Sequence, residues 1–169
     1  MNKNKEELLN KLKQLENDFN TQVADIKKQI EECDNKVWKP NEGDKYYAIS
    51  IKGMVLKYNF INDNVDKELM NFGNYFKTKE EAERKVFEIR LHRQLELFAL
   101  ENNETEIDWN DFYQYKYYIF YNFEDKKIET SSSHNYKAFG QIYFTSKEVA
   151  EKAIETFKYD LIRYFTSNK

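Results

Sequence analysis

The chain holds one cysteine, one proline, four glycines and two histidines among 169 residues. A single thiol, Cys33, excludes an intrachain disulfide framework, and no Cys/His spacing matches a metal cluster. Gly43, Gly53, Gly73 and Gly140 stand apart, so there is no glycine-rich loop to cradle phosphate. No apolar run approaches the roughly 20 residues of a membrane span, and the charged N-terminus lacks the apolar segment of a signal peptide. Neither sign of charge dominates. Lys+Arg number 27 and Asp+Glu 30, a net charge of −3, too small to gather nucleic acid by bulk electrostatics or to mimic it. These absences set the expectation of a soluble protein in a reducing, cytoplasmic compartment. The plentiful residues are rings and charges: aromatics make up 17% and charged residues 34%. That mixture describes an ordered domain with a Tyr/Phe-rich core, not a disordered chain.

The first 37 residues read as one helix. Leu8, Leu12, Leu15, Phe19, Val23, Ile26, Ile30, Cys33 and Val37 follow at steps of three and four, with no glycine or proline between them. This is a heptad seam with one stutter between Phe19 and Val23. Leu8, Leu12, Leu15, Phe19, Val23, Ile26 and Ile30 are therefore the candidate oligomerisation residues, most simply of a dimer. The alternative is a helix folded back on its own body. The narrow stripe and polar flanks suit a helical partner better than a sheet. Trp38-Lys39-Pro40 ends the segment, because the residue before proline is biased out of the helical region.

The body states one pattern twice. Phe72-Gly73-Asn74-Tyr75-Phe76-Lys77-Thr78-Lys79-Glu80-Glu81-Ala82-Glu83 returns as Phe139-Gly140-Gln141-Ile142-Tyr143-Phe144-Thr145-Ser146-Lys147-Glu148-Val149-Ala150-Glu151, one residue longer. Each copy reads as a short aromatic strand running into a helix. Thr78 with Glu81 forms a capping box; in the second copy Thr145 pairs with Glu148, or Ser146 caps instead. Ahead of each copy lies a hairpin pattern. Residues 45–51 and 54–60 alternate around Lys52-Gly53, and residues 113–123 and 127–132 flank Glu124-Asp125-Lys126. Residues 61–71 read as a polar loop with room for a helical turn, and the last helix as one piece through Phe165. The predicted fold class is α+β. It has a coiled-coil helix (1–37) and two repeated hairpin-strand-helix (βββα) units (38–101 and 102–169), with Tyr46-Tyr47 aligned to Tyr117-Tyr118.

Catalytic chemistry does not stand out. His92 lies on a charged helix turn beside Arg90 and Arg93, and His134 in a polar loop. Both read as solvated surface histidines. Cys33 falls on the apolar seam as a packing residue. Asp63-Asn64-Val65-Asp66 and Asp108-Trp109-Asn110-Asp111 lack the glycine and terminal glutamate of a calcium loop. No catalytic residue, metal ligand or cofactor is expected, and the chain reads as a binder, not an enzyme. The rings are the unusual feature, since both faces of residues 113–123 carry them. Most belong in a core, with phenol hydroxyls at its rim. Those left at the surface are candidate partner contacts: Trp38, Tyr46, Trp109, Tyr113, Tyr115 and Tyr118. Stacking of single-stranded bases is disfavoured by the acidic total, so nucleic acid is not expected as a direct ligand.

Taken together, the coiled coil, Trp38-Lys39-Pro40, Gly43-Asp44-Lys45-Tyr46-Tyr47, Gly73 to Glu83, Asp108-Trp109-Asn110 and Gly140-Gln141-Ile142-Tyr143-Phe144 resemble a family of small uncharacterised phage and prophage proteins of low-GC Gram-positive bacteria. The resemblance covers nearly the whole chain and carries no catalytic motif. It implies a phage accessory protein inside the bacterial host cell that binds and inhibits a defence protein, as anti-CRISPR proteins do. Two alternatives stay open: a nucleotide-binding sponge for a defence signal, and a structural phage protein.

Overall fold

The structure is a computed structural model that describes residues 3–34 and 37–167. Within the first helix it describes the side chains of residue 5 and residues 7–27. The fold is α+β; among the described residues there are five helices and two small antiparallel sheets of two strands each. The order is α1 (Lys3–Asp34), β1 (Lys45–Ile49), β2 (Val55–Asn59), α2 (Asn64–Asn71), α3 (Lys79–Asn102), β3 (Lys116–Asn122), β4 (Lys127–Ser133), α4 (Lys147–Thr156) and α5 (Lys158–Thr166).

Helix α1 runs 32 residues without a break. Its stripe is uncovered: Leu8, Leu12, Leu15, Phe19 and Ile26 are all 54–66% exposed, and only Val23 is half-buried. Over residues 8–26, whose side chains are described, this stripe is not covered by the body. The side chains of the other expected seam residues, Ile30 and Cys33, lie outside the described residues.

Two hairpins form as the alternation predicts. Strand β1 pairs with β2 from Lys45↔Asn59 to Ile49↔Val55, and β3 with β4 from Lys116↔Ser133 to Asn122↔Lys127. The first turn depends on Gly53, at φ +74, a region that costs other residues a Cβ clash. The expected third strands do not form. Phe76 and Phe144 each make one bridge, to Tyr47 and Tyr117, through reciprocal backbone bonds of 2.8–2.9 Å. The next rung is taken by a side chain. Asn74 Oδ1 accepts from Ile49 N (2.9 Å) and its Nδ2 donates to Ile49 O (2.8 Å). In the second hairpin Gln141 Nε2 donates to Ile119 O at 3.4 Å. With a side chain in the ladder position, the incoming backbone cannot extend the sheet. Phe72 and Phe139, expected within these strands, are almost fully exposed.

Two other expectations change. The polar segment after β2 contains helix α2, because Asp63 and Asp66 cap it reciprocally: Asp63 Oδ1 accepts from Asp66 N, and Asp66 Oδ2 from Asp63 N. The last helix is two. Phe157, at φ −107 and ψ +18, breaks it while its ring meets Phe98 edge-to-face at 5.7 Å.

Helix α3 starts where expected, with Thr78 and Glu81 forming both halves of the capping box. On α4 the cap is Ser146, which accepts from Val149 N at 3.2 Å. Each cap contributes on the order of 1 kcal/mol. Helix α3 packs on the first hairpin, α4 on the second, and α3, α4 and α5 pack on one another. The core follows α3 at four-residue steps, Phe87, Leu91, Leu95 and Ala99, and continues through Ile119, Phe144, Ala150, Ala153 and Leu161. Ile89 and Leu100, on other faces of α3, are exposed.

Candidate functional site

A half-open groove of about 670 Å³ lies between α3, β3, the 140–144 segment and α5. Its floor is core: Leu91, Leu95, Ile119, Phe144 and Leu161. One wall is a run of touching rings. Tyr121 lies 5.0 Å from Phe123 and stacks on Phe165 at 5.4 Å, and Phe165 meets Tyr164 at 5.1 Å. The opposite wall is α3, where Ile89 stands half-exposed between Lys85, Glu88, His92, Arg93 and Glu96. These five polar residues form the rim because they occupy the face of α3 opposite Phe87, whose own ring is covered by the Arg163 guanidinium at 4.3 Å.

The rim is balanced in charge. Lys85 Nζ donates to Glu88 at 3.0 Å, and Arg93 donates to Glu96 at 2.9 Å. His92 reaches Glu96 through Nδ1 at 3.5 Å, and its Nε2 lies 3.0 Å from the Gly140 carbonyl. The histidine expected to be merely solvated thus ties α3 to the 140–144 segment. Exposed pairs of this kind contribute little to stability and exchange partners readily.

The expected partner contacts are not gathered at this groove. Tyr46 is fully buried, so its assignment to a surface is corrected. Its hydroxyl donates to Asp66 Oδ1 at 2.6 Å, and Asp66, itself buried, also accepts from Ile61 N at 2.9 Å and Asp63 N at 3.3 Å. Burial alone would raise the Asp66 pKa. The Tyr46 hydroxyl and the backbone N–H groups outweigh it and hold the carboxyl below its usual range. Burial, then the Asp66 carboxylate, push the Tyr46 phenol far above its own.

Trp38 is half-buried, its ring 6.4 Å from Tyr75. Trp109 is also half-buried, edge-on to Tyr143 at 4.9 Å, with the ammonium groups of Lys116 and Lys137 over it at 5.7 and 5.4 Å. Tyr113 is 92% exposed in the loop before β3, which starts at Lys116 and not at 113. Tyr115 lies 4.0 Å from the His134 ring. Tyr118 and Tyr136 share a hydroxyl contact of 3.1 Å. Ser131 and then Tyr136 lower the Tyr118 pKa, while Tyr118 raises that of Tyr136.

Sequence reasoning missed Lys116, whose fully buried ammonium donates to the carbonyls of Asp111 and His134. It also missed Asp66, which the Asp63-x-x-Asp66 spacing signals as a capping box. Among the described residues no group of three or more His, Cys, Asp or Glu is placed to hold a metal. No described helix is long and apolar enough to cross a membrane. No family model, curated protein or solved structure matches the chain.

Proposed function

We propose that this protein works by binding another protein, with the groove between α3, β3, the 140–144 segment and α5 as the docking surface. One observation carries the reading: a concavity of about 670 Å³ with an apolar floor, a continuous ring wall and a rim of mixed charge. Aromatic-lined pockets of this kind anchor interfaces. The occupant that fits is an amphipathic protein segment. Its apolar side chains fill the groove, and its charges of both signs exchange with the Lys85–Glu88 and Arg93–Glu96 pairs. A nucleotide would need uncompensated cations, and here each cation has a carboxylate beside it. The sponge reading is therefore the weaker one.

Two further elements belong to this proposal. The chain dimerises through α1, whose stripe Leu8, Leu12, Leu15, Phe19 and Ile26 is uncovered. The body is one hairpin-helix unit used twice. Support for the duplication comes from matched details: Phe76 and Phe144 in the bridges, Asn74 and Gln141 on Ile49 and Ile119, caps at Thr78 and Ser146, and wholly buried Ala82 and Ala150. The wider role, a phage-type inhibitor of a bacterial defence protein, rests on the motif resemblance alone.

The test is inhibition of reconstituted bacterial defence effectors by the purified chain. Ile89→Glu and Phe123→Glu place charge in the groove and should abolish binding to an effector the wild type inhibits. Leu100→Glu, exposed on α3 away from the groove, should leave it intact. Equal inhibition by all four proteins would refute the groove. Inhibition by none would refute the role.

A further inference from the structure

Resting on the reading that α1 dimerises, we propose that two copies pair as a parallel, in-register coiled coil. The helix covers 32 residues, about 48 Å at 1.5 Å per residue. The stripe alone does not select a direction. Leu15 and Val23 lie four residues either side of Phe19, and Leu12 and Ile26 lie seven either side. Phe19 is thus the centre of a palindrome. An antiparallel pair turning about Phe19 and a parallel pair both bring apolar residues into every layer.

The flanking charges select between them. In heptad terms Leu12 and Phe19 take the a positions and Leu8 and Leu15 the d positions, so Lys11 and Asp18 fall at g and Glu16 at e. In a parallel pair g faces the e position five residues on in the other chain. Lys11 then meets the partner's Glu16, and two-fold symmetry makes that attraction twice. After the stutter Gln22 meets the partner's Lys27, and no like charges face each other. In the antiparallel pair g faces g and e faces e, so Glu16 comes within reach of the partner's Lys27, but the g side is unfavourable. Asp18 then lies against the partner's Asp18 at the two-fold axis, and Lys11 finds no carboxylate across the seam. Among the described residues Lys11 reaches Glu7, at 3.7 Å, and both side chains are about 70% exposed, so its ammonium can change partners. Charge complementarity therefore fits a second copy running in the same direction. Both bodies leave such a coil at one end, so that two grooves are offered together to a bivalent partner.

Single-cysteine variants of the full chain decide it. In a Cys33→Ser background, light scattering should give twice the chain mass of 20.6 kDa. Mild oxidation of Leu8→Cys in that background should give a covalent dimer on non-reducing gels. In the antiparallel pair the two positions 8 lie about 33 Å apart, at 1.5 Å per residue, and cannot be bridged. Phe19→Cys sits on the axis and cross-links in either arrangement. Cross-linking at 19 but not at 8 overturns the parallel coil and leaves dimerisation standing. A monomer by light scattering, with no cross-link at either position, overturns both. The charge argument has its own readout. Lys11→Glu should weaken dimerisation about fivefold, from two exposed pairs, and Glu16→Lys added to it should restore the wild-type constant. A Lys11→Glu variant that dimerises as tightly as wild type removes the basis for the direction.

Discussion

Replacing Tyr46 by Phe tests the buried polar pair of the first hairpin with the smallest possible change. The ring stays, stacked on Tyr58 at 5.4 Å, and one hydroxyl is lost. Asp66 loses its 2.6 Å partner and keeps the N–H groups of Ile61 and Asp63. A hydrogen bond to a charged acceptor contributes about 1.5–3 kcal/mol. Both groups are buried, so water does not replace the lost donor, and a cost of about 2 kcal/mol is expected at pH 7. For a chain of this length that is roughly 4–8 °C in Tm. The pH dependence has a fixed sign. Asp66 has its pKa lowered on folding, so its contribution is complete above the unfolded carboxyl pKa, about 3.9, and is lost as pH falls through the folded value. Tyr46→Phe removes the strongest of the interactions that lower that pKa, so the gap between wild type and variant should narrow below about pH 4. On the alkaline side wild type should lose stability above about pH 10, where the unfolded phenol ionises and the buried one does not. Urea unfolding by circular dichroism at pH 7, 5 and 3 reads all of this except the alkaline limb, which needs one series at pH 11. A cost under about 0.5 kcal/mol at pH 7, within the range of an ordinary surface change, would refute the buried pair. So would a cost unchanged from pH 7 to pH 3.

The α4 cap separates two adjacent residues: Ser146→Ala should cost on the order of 1 kcal/mol, while Thr145→Ala keeps its backbone bond to Asn103 and should cost less, as thermal unfolding will show. Asn74→Ala leaves both polar groups of Ile49 unpaired and should cost about 1–2 kcal/mol; Gln141→Ala, which loses a longer single bond to the strand, should cost clearly less in the same urea titration. Lys126 holds a left-handed conformation at φ +55 in the second hairpin turn, so Lys126→Gly should stabilise by up to about 1 kcal/mol, and a lowered Tm would contradict that strain.

Periodicity and the Thr78 capping chemistry were legible where a residue's partner lay within a few positions, although the equally local Asp63–Asp66 box that starts α2 was missed. The α1 stripe, the two hairpins and the Thr78–Glu81 box all depend on spacing, and all formed. The third strands failed because a ladder depends on what reaches the strand edge. There the side chains of Asn74 and Gln141 arrived in place of backbone, and nothing in residues 72–76 or 139–144 announces that. The hairpin alignment slipped by one residue for a related reason. Tyr47 and Tyr117 hold the same bridge, so Lys116, not Tyr117, occupies the place of Tyr46. A Tyr and a Lys look unlike in sequence, yet both are fully buried there. One donates to the Asp66 carboxylate, the other to the carbonyls of Asp111 and His134. The groove was not legible at all, since its walls come from four segments spread over residues 85–165.

Exposed rings do not by themselves mark a surface for use. Phe72, Tyr113, Phe139 and Tyr159 are each almost wholly exposed and widely separated in the chain. Single exposed apolar side chains need no function, because a folded chain cannot cover its surface with polar atoms. Contiguity is the sharper criterion. Tyr121, Phe123, Tyr164 and Phe165 touch in one run, joined across the sequence by Tyr121 on Phe165, beside Ile89 and over a core floor. Covering them would remove one continuous apolar area from water, whereas covering Tyr113 would bury one ring and strip a hydroxyl of solvent. The same reasoning separates α1 from the body: its exposed residues recur at helical spacing along one face, which a second helix can cover in a single docking event. Two extended apolar surfaces on one chain, a stripe and a groove, call for two different shapes of cover, one helical and one that enters a concavity. Self-association can supply the first without consuming the second.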